Sequence, residues 1–231
     1  MDKHAFKLLD NPVWNALQTH HQAYATGTPL IQRYPRKMLP FLSCQNPATS
    51  KLNDIEPWLT ADEQLFIVGE IPHLPSNWTL ISQLECIQMV CEEQKNPVKH
   101  DVDIARITLA ENEELIQLIH MVQPGYFFKD TALSGRYFGI KVENKLVAVA
   151  GERLRMPGFT EISAVCTLPS FTGKGYAQML VTHLIQLNLQ EGTIPFLHVL
   201  RNNMRAINVY TLLGFKERII MPFRQLELYK F

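Results

Sequence analysis

The hydrophobic pattern is clearest in the second half of the chain, where apolar residues recur at the period of a strand. Phe138, Ile140 and Val142 alternate with Gly139 and Lys141, which predicts a strand that is half buried in a sheet. Glu143-Asn144 follows as a tight turn. Similar apolar runs predict further strands over residues 103–109, 146–152, 160–168 and 195–200, with two more over residues 215–231.

Three segments between these strands have apolar residues at helical spacing. The first begins at Thr108-x-x-Glu111, the signature of a capping box, and ends at Pro124-Gly125. The second covers residues 177–185 and stops at Gly192, and the third covers residues 204–213 and stops at Gly214. Helices that interrupt strands in this order predict an α+β fold, with a mixed, mostly antiparallel sheet flanked by helices.

The first part of the chain has a weaker pattern. Asn11-Pro12 suits a helix cap followed by proline at the first helical position, and the helix is predicted to reach about residue 26. Apolar runs at residues 39–43, 64–68 and 85–91 predict strands. The polar stretch 93–101 predicts a domain boundary. Residues 1–98 then form an N-terminal α+β part, either a degenerate copy of the second domain or an unrelated cap, and residues 99–231 form the second domain.

Composition excludes several classes of protein. Lys and Arg total 22, as do Asp and Glu, so the chain lacks the basic excess of a dedicated nucleic-acid binder. No run approaches the roughly 20 apolar residues of a membrane span, and the first residues lack the apolar core of a signal peptide. The four cysteines include no Cys-x-x-Cys pair, so no metal site is expected. We therefore expect a cytoplasmic protein with free thiols and no membrane or nucleic-acid partner.

The richest chemical signal is a glycine turn at the end of the predicted strand 160–168. Gly173 and Gly175 flank Lys174, and the predicted helix follows at once. Glycine lets the backbone curl there, and the N–H groups at a helix start have no partner within the helix. Such a positive helix end attracts phosphate oxygens. The sequence therefore predicts a phosphate-bearing cofactor at the start of this helix.

Two motifs connect this turn to a known family. The first is Gln/Arg-x-x-Gly-x-Gly/Ala, present here as residues 170–175, and the second is an Asn-x-x-Ala-x-x-x-Tyr-x-x-x-Gly-Phe run. The second run is matched by Asn203, Ala206, Tyr210, Gly214 and Phe215. With the order of elements, they make residues 103–231 resemble the GNAT superfamily of acyl-CoA-dependent N-acyltransferases, most closely the subgroup related to glycine N-acyltransferase.

The first motif departs from the family at two positions. Ser170 replaces Gln or Arg, and Thr172 stands where many relatives have Arg. Both changes remove side-chain donors near the pyrophosphate, so we expect binding to persist through the backbone and Lys174 but to weaken.

The resemblance implies acetyl-CoA as co-substrate, without a metal, and an N-acetyltransferase that acts by direct transfer in a ternary complex. The acceptor would be a primary amine of a small molecule or an amino acid. The pantetheine arm would lie in a notch between strands 160–168 and 195–200, with an N–H near Val165 holding the oxyanion. The implied cofactor-binding residues are Val165, Cys166, Thr167, Thr172, Gly173, Lys174, Gly175, Tyr176, Ala177, Asn203 and Tyr210.

The catalytic candidates are Tyr210, Glu161 and His198. The resemblance makes Tyr210 the acid that protonates the departing thiolate, although its spacing also fits a core aromatic residue. The base that deprotonates the amine is Glu161 or His198, with Glu152 as a third candidate. Cys166 could form an acyl-cysteine but is better explained as a buried, inert thiol.

The sequence leaves two questions open and disfavours one alternative. Residues 126–128, Tyr-Phe-Phe, either line the acceptor site or pack under a loop. The imperfect first motif also allows a non-catalytic acyl-CoA-binding regulatory module. A dinucleotide site is disfavoured because Gln178 stands where Gly-x-Gly-x-x-Gly needs its last glycine.

Overall fold

A computed structural model of the chain describes residues 5–60, 63–98 and 102–229. In these ranges a small sheet contains β1 (Thr26–Gly27), β2 (Ile31–Arg33) and β3 (Leu42–Cys44). The strands of a larger sheet are β4 (Gln64–Val68), β5 (Trp78–Val90), β6 (Ala105–Arg106), β7 (Tyr137–Val142), β8 (Lys145–Met156), β9 (Phe159–Thr167), β10 (Ile194–Leu200) and β11 (Lys216–Leu228). They lie in the order β4-β11-β5-β10-β9-β8-β7-β6.

Helices cover both faces of the large sheet. The α-helices are α1 (Pro12–Leu17), α2 (Asn112–Val122), α3 (Tyr176–Gln190) and α4 (Met204–Leu213). Short 3-10 segments occur at Ala5–Asp10, Gln22–Tyr24, Leu52–Trp58, Leu109–Glu111, Thr131–Ser134 and Pro169–Phe171. All strand pairs of the large sheet are antiparallel except β9 with β10, as the predicted α+β class with a mostly antiparallel sheet requires.

Two apolar clusters lie on opposite faces of this sheet. Leu197 packs with the cluster that includes α2, α3 and α4, whereas Phe196, its neighbour on β10, packs with Leu9 and Val13 of the N-terminal elements. Successive strand residues point to opposite faces. The N-terminal segment, Ala5–Asp10 and α1 together, therefore covers the face that the large helices leave open.

The large sheet runs across the predicted domain boundary. β5 precedes the boundary in sequence, yet it lies between β10 and β11 and pairs with both. The boundary itself falls at residues 98–99, and residues 99–101 lie outside the described residues. The first part thus contributes two strands, β4 and β5, to the sheet that carries the predicted catalytic elements.

The predicted N-terminal helix is too long. α1 begins at Pro12 as expected but ends at Leu17 rather than near residue 26. The Thr19 hydroxyl donates to the Asn15 carbonyl at 2.6 Å, and the His21 ring turns inward to the Tyr34 hydroxyl at 2.8 Å. Because burial lowers the pKa of His21 to about 4, this histidine packs as a neutral ring.

Three strand predictions also need correction. The tail forms the single strand β11 instead of two, and its register shifts mark irregularities rather than a turn. β5 begins at Trp78, well before the predicted start at residue 85. Its first half is largely exposed, so no buried apolar run marks it in the sequence. The predicted strand 103–109 shrinks to β6. By contrast, α4 has the predicted bounds, and Glu143 and Asn144 both adopt positive φ in their turn.

Candidate active site

β9 and β10 separate after a short parallel contact. They pair only from Ile194 with Phe159 to Phe196 with Glu161. Beyond that point β10 continues along β5, while β9 stays on β8 as far as Thr167. The edge of β9 over residues 162–167 therefore faces a notch, as the resemblance implies for the pantetheine arm.

A bulge distorts β9 where this notch begins. Ala164 has φ 51°, a left-handed value that a residue with a Cβ rarely adopts, and the register against β8 shifts between Val149 and Gly151. Such strain is held by the surrounding structure and often accompanies functional sites. Nothing in the local sequence signals it, because alanine has no preference for this conformation.

The glycine turn leaves a row of backbone donors open. Gly173 and Gly175 have φ 81° and 79°, and Gly175 caps α3 in the left-handed conformation. Within the described ranges, the N–H groups of residues 173–178 donate to no acceptor, and the first bond of the helix runs from Met179 to the Gly175 carbonyl at 3.0 Å. These donors point from the positive end of a 15-residue helix. They fit an anionic group such as a diphosphate.

Of the described side chains around this turn, Lys174 alone supplies a positive charge for an anion. The Lys174 ammonium lies 4.9 Å from the centre of the Phe171 ring, and Lys174 is exposed. The Thr172 hydroxyl donates to the Pro169 carbonyl at 2.9 Å, so it stabilises the turn itself. Ser170 is exposed on the short helix before the turn. Binding of an anion here depends on the backbone and on Lys174.

The second motif has a structural reason at most of its positions. The Asn203 side chain caps α4 by accepting from the Ala206 N–H at 3.2 Å. Gly214 ends the helix at φ 111°, where a Cβ would lie 2.4 Å from the Glu93 carbonyl oxygen. The Tyr210 and Phe215 rings meet edge to face with their centres 5.8 Å apart. The motif therefore builds and anchors α4 beside the notch.

Tyr210 keeps a free hydroxyl within the part of the chain that the structure describes, since no hydrogen bond to it is found there. Burial raises the pKa of Tyr210 to about 12, with a smaller contribution from the charge of nearby Cys166. Burial also raises the pKa of the Cys166 thiol to about 12, and Cys166 is 2% exposed. Cys166 is thus a poor nucleophile, whereas Tyr210 stays a neutral phenol able to donate a proton.

The two predicted bases, Glu161 and His198, are hydrogen-bonded to each other. They lie on the face of the large sheet that the N-terminal segment covers, opposite α3 and α4. His198 donates from Nδ1 to the Glu161 carboxylate at 2.7 Å, and Arg153 donates from Nε and Nη2 at 2.8 and 2.6 Å. Burial alone would raise the pKa of Glu161, but the charge and hydrogen bonds of Arg153, with that of His198, lower it to about 2. Glu161 is therefore ionised at all ordinary pH values.

The second ring nitrogen of His198, Nε2, is linked to the N-terminal segment through Gln88. The Gln88 amide donates to His198 Nε2 at 3.1 Å and to the Leu9 carbonyl at 2.9 Å. Arg218 donates to the side-chain amide oxygen of Gln88 at 2.7 Å and forms an ion pair with Asp10. Both ring nitrogens of His198 are thus engaged, and sequence analysis missed these partners because they come from distant segments.

The remaining candidates lie elsewhere. Glu152 is fully buried on the α3 side of the sheet, where Arg136 and Asn188 donate to its carboxylate. In the loop after α2, Phe127 is buried against Tyr137, whereas Tyr126 is 54% exposed. No group of three or more metal-ligating side chains occurs in residues 5–60, 63–98 and 102–229. The helices in the same ranges include none with the length and apolarity to span a bilayer.

Comparison with known proteins identifies the fold. Residues 137–222 match the family model of FR47-like protein. A protein from Novosphingobium aromaticivorans DSM 12444, described as a GNAT-family acetyltransferase, has 27% identity and a TM-score of 0.86, covering 96% of this chain and 99% of its own. A GCN5-related N-acetyltransferase from Kribbella flavida has 14% identity and a TM-score of 0.63, covering 98% of this chain and 96% of its own. A search of curated proteins by sequence gave no match.

The chain therefore has the fold of the GNAT-family acetyltransferases. A third structure, a GCN5-related N-acetyltransferase-like protein from Streptococcus suis, agrees with a TM-score of 0.59 at 14% identity over 98% of this chain and 97% of its own. Because these alignments include the first part of the chain, the N-terminal elements are a shared component of the fold. The subgroup related to glycine N-acyltransferase is not singled out by any of these similarities and stays a prediction.

Proposed function

We propose that this chain is an N-acetyltransferase that moves an acetyl group from acetyl-CoA to a primary amine of a small molecule or an amino acid. Transfer is direct, within a ternary complex. The observation that carries the proposal is the row of unpaired N–H groups at residues 173–178, which opens beside the notch between β9 and β10.

The proposed cofactor site has three sections. The diphosphate lies against the turn, where Thr172, Gly173, Lys174, Gly175, Tyr176 and Ala177 surround it. The pantetheine arm follows the open edge of β9 and bonds the backbone of Val165, Cys166 and Thr167. Asn203 and Tyr210 of α4 border the other side of the notch.

Acetyl-CoA supplies a thioester, whose carbon accepts the amine nitrogen as the carbon–sulfur bond breaks. The Val165 N–H polarises the carbonyl oxygen and stabilises the negative charge that forms on it. Tyr210 donates its phenolic proton to the departing sulfur, and the proton that the amine loses balances this transfer. The pKa of about 12 keeps Tyr210 protonated before the reaction.

The proposed base is the Glu161–His198 pair. Glu161 holds Nδ1–H of His198 in place, which leaves Nε2 as the atom that accepts a proton. Because the Gln88 amide occupies Nε2, the base acts only when this contact opens. Breaking one neutral hydrogen bond costs roughly 1 kcal/mol, which thermal motion supplies readily.

A second candidate function is a non-catalytic acyl-CoA-binding regulatory module. Ser170 and Thr172 favour it because they weaken the diphosphate site. The hydrogen bonds to both ring nitrogens of His198 favour it because the proposed base then has no free acceptor atom. This module would be stabilised by acetyl-CoA without consuming it. The proposal also includes a cytoplasmic location, which the four free cysteines support.

The test is release of free thiol from acetyl-CoA over a panel of primary amines and amino acids. We expect turnover with at least one acceptor, and we expect the Tyr210→Phe variant to lose most of it. Thermal stabilisation by acetyl-CoA with no turnover of any amine would favour the regulatory module. If acetyl-CoA neither binds nor reacts, both candidate functions are wrong.

A further inference from the structure

Arg153 lies beside the proposed base and uses only one edge of its guanidinium. A guanidinium offers two bidentate edges, one formed by Nε and Nη2 and one by Nη1 and Nη2. The Nε and Nη2 atoms of Arg153 donate to the two carboxylate oxygens of Glu161 at 2.8 and 2.6 Å. The first edge is thus filled by a parallel pair of charge-assisted hydrogen bonds.

The second edge of Arg153 is empty. Among the described residues, no acceptor lies within hydrogen-bond distance of Nη1, and Nη2 has only its bond to Glu161. The side chain is 20% exposed, so water reaches the guanidinium although Glu161 behind it is fully buried. A cationic fork that is held rigidly and open to solvent is suited to an anion of matching geometry.

Arg136 demonstrates the same arrangement with both edges filled. Its Nε and Nη2 donate to Glu152 at 2.8 and 2.6 Å, as Arg153 donates to Glu161. Its Nη1 and Nη2 donate to a second carboxylate, Glu191, at 2.5 and 2.9 Å. One guanidinium of this chain therefore binds two carboxylates at once, and at Arg153 the second carboxylate is missing.

Aromatic rings pack beside the Arg153 guanidinium. The Arg153 guanidinium lies 4.9 Å from the centre of the Phe41 ring, and Phe41 packs edge to face on Phe223 at 6.1 Å. Phe223 in turn contacts the His198 ring at 5.1 Å. An anion bound here would have the proposed base on one side and apolar rings on the other.

We propose that the free edge of Arg153 binds a carboxylate of the acceptor, so that the acceptors are small amines that carry a carboxylate. The inference rests on the proposed function and adds a specificity-determining residue to it. Glu161 stands four positions before Val165 on β9, which places the anion site and the acyl site along one strand. The planar fork favours a carboxylate over a single-point anion.

Binding can be tested without any reaction. Acetate, butyrate and 3-phenylpropionate would each be compared with the corresponding primary amide by calorimetry, at constant ionic strength, with and without saturating coenzyme A. These probes contain no amine to acetylate. We expect each acid to bind at least ten-fold more tightly than its amide. Equal affinity of acid and amide would overturn the proposal.

Two matched variants test whether the preference for the acid over the amide arises at Arg153. Arg153→Lys keeps a positive charge beside Glu161 but removes the fork, so the acid-to-amide preference should fall at least ten-fold. Arg136→Lys makes the same change where both edges are already filled, so the preference should persist even if stability drops. A preference that survives in Arg153→Lys, or that disappears equally in both variants, would contradict the assignment. If Arg153→Lys does not fold, the acid and amide affinities of the unaltered protein decide, measured with saturating coenzyme A so that the start of α3 is occupied.

Failure of this inference is separable from failure of the proposed function. Turnover of neutral amines in preference to amino acids would leave the N-acetyltransferase proposal standing and remove Arg153 from specificity. Absence of coenzyme A binding would remove the enzymatic proposal. The acid-to-amide comparison between the unaltered protein and Arg153→Lys, both without coenzyme A, would then still confirm or refute an anion site at Arg153.

Discussion

The Nδ1 atom of His198 lies 2.7 Å from Oε1 of Glu161, and the fully buried carboxylate has Arg153 on its other side. The histidine therefore has a fixed orientation, and the carboxylate has a fixed charge. Because Gln88 links His198 to the Leu9 carbonyl, the same contacts connect the N-terminal segment to the centre of the sheet. The orientation of the proposed base and the packing of the N-terminal segment on the sheet therefore depend on the same hydrogen-bond network.

Stability should depend on Glu161 in a defined pH range. Its folded-state pKa of about 2 lies below the unfolded value of 4.5, so its contribution is complete above pH 4.5 and lost as the pH falls towards 2. The difference corresponds to roughly 3 kcal/mol. Glu161→Gln should therefore lower the free energy of unfolding by about that amount at pH 7, measured with urea.

The pH profile separates this charge effect from a packing effect. The gap in unfolding free energy between the unaltered protein and Glu161→Gln should narrow as the pH is lowered from 4.5 to 3. A gap of constant size over that range would mean that the ionised carboxylate contributes no stability.

Removal of the Tyr210 hydroxyl should slow acetyl transfer without unfolding the protein. Tyr210→Phe keeps the edge-to-face contact with Phe215, so stability and coenzyme A affinity should stay nearly unchanged. A general acid contributes about 100-fold or more, and kcat should fall by about that factor in a thiol-release assay. Equal kcat values for the two proteins would exclude Tyr210 as the acid.

The glycine turn can be tested with a matched pair of alanine variants. Gly173 (φ 81°) and Gly158 (φ 78°) both have open space where a Cβ would go, so each substitution costs only the left-handed strain of about 1–2 kcal/mol. Gly158 lies in the turn between β8 and β9, at the end of β9 opposite the glycine turn that begins α3. We expect Gly173→Ala to weaken acetyl-CoA binding about ten-fold and Gly158→Ala to leave it unchanged, as measured by calorimetry.

An arginine at position 172 should strengthen the site. Thr172 is exposed and its hydroxyl only stabilises the turn, so Thr172→Arg adds a cation beside the open N–H groups at small structural cost. We expect acetyl-CoA to bind about threefold more tightly at low salt, with the gain shrinking as ionic strength rises. Thr172→Gln serves as the uncharged control, and a similar gain in that variant would argue against an electrostatic cause.

Local signals predicted the elements that depend on local chemistry. The bounds of α4 follow from a cap at Asn203 and a stop at Gly214, and both residues act within a few positions of themselves. The glycine turn is equally local, since its function requires only a left-handed backbone before a helix. The fold class could be predicted from the order of these helices and strands, because that order limits which strands can pair.

Features that depend on distant partners escaped prediction. α1 ends at Leu17, and the chain beyond it places the His21 ring against the Tyr34 hydroxyl, a contact that no periodicity reveals. β5 enters the sheet between β10 and β11, so its pairing depends on chain segments more than a hundred positions away. The role of Arg153 was missed for the same reason, because it becomes visible only beside Glu161 and in comparison with Arg136.

Calorimetric titration of the protein with acetyl-CoA tests the central claim most directly, since every role assigned above begins with a diphosphate at the start of α3. We predict saturable binding of one acetyl-CoA per chain, weakened in Gly173→Ala and retained in Gly158→Ala. Absence of heat up to millimolar acetyl-CoA, or equal affinity in both variants, would contradict the account.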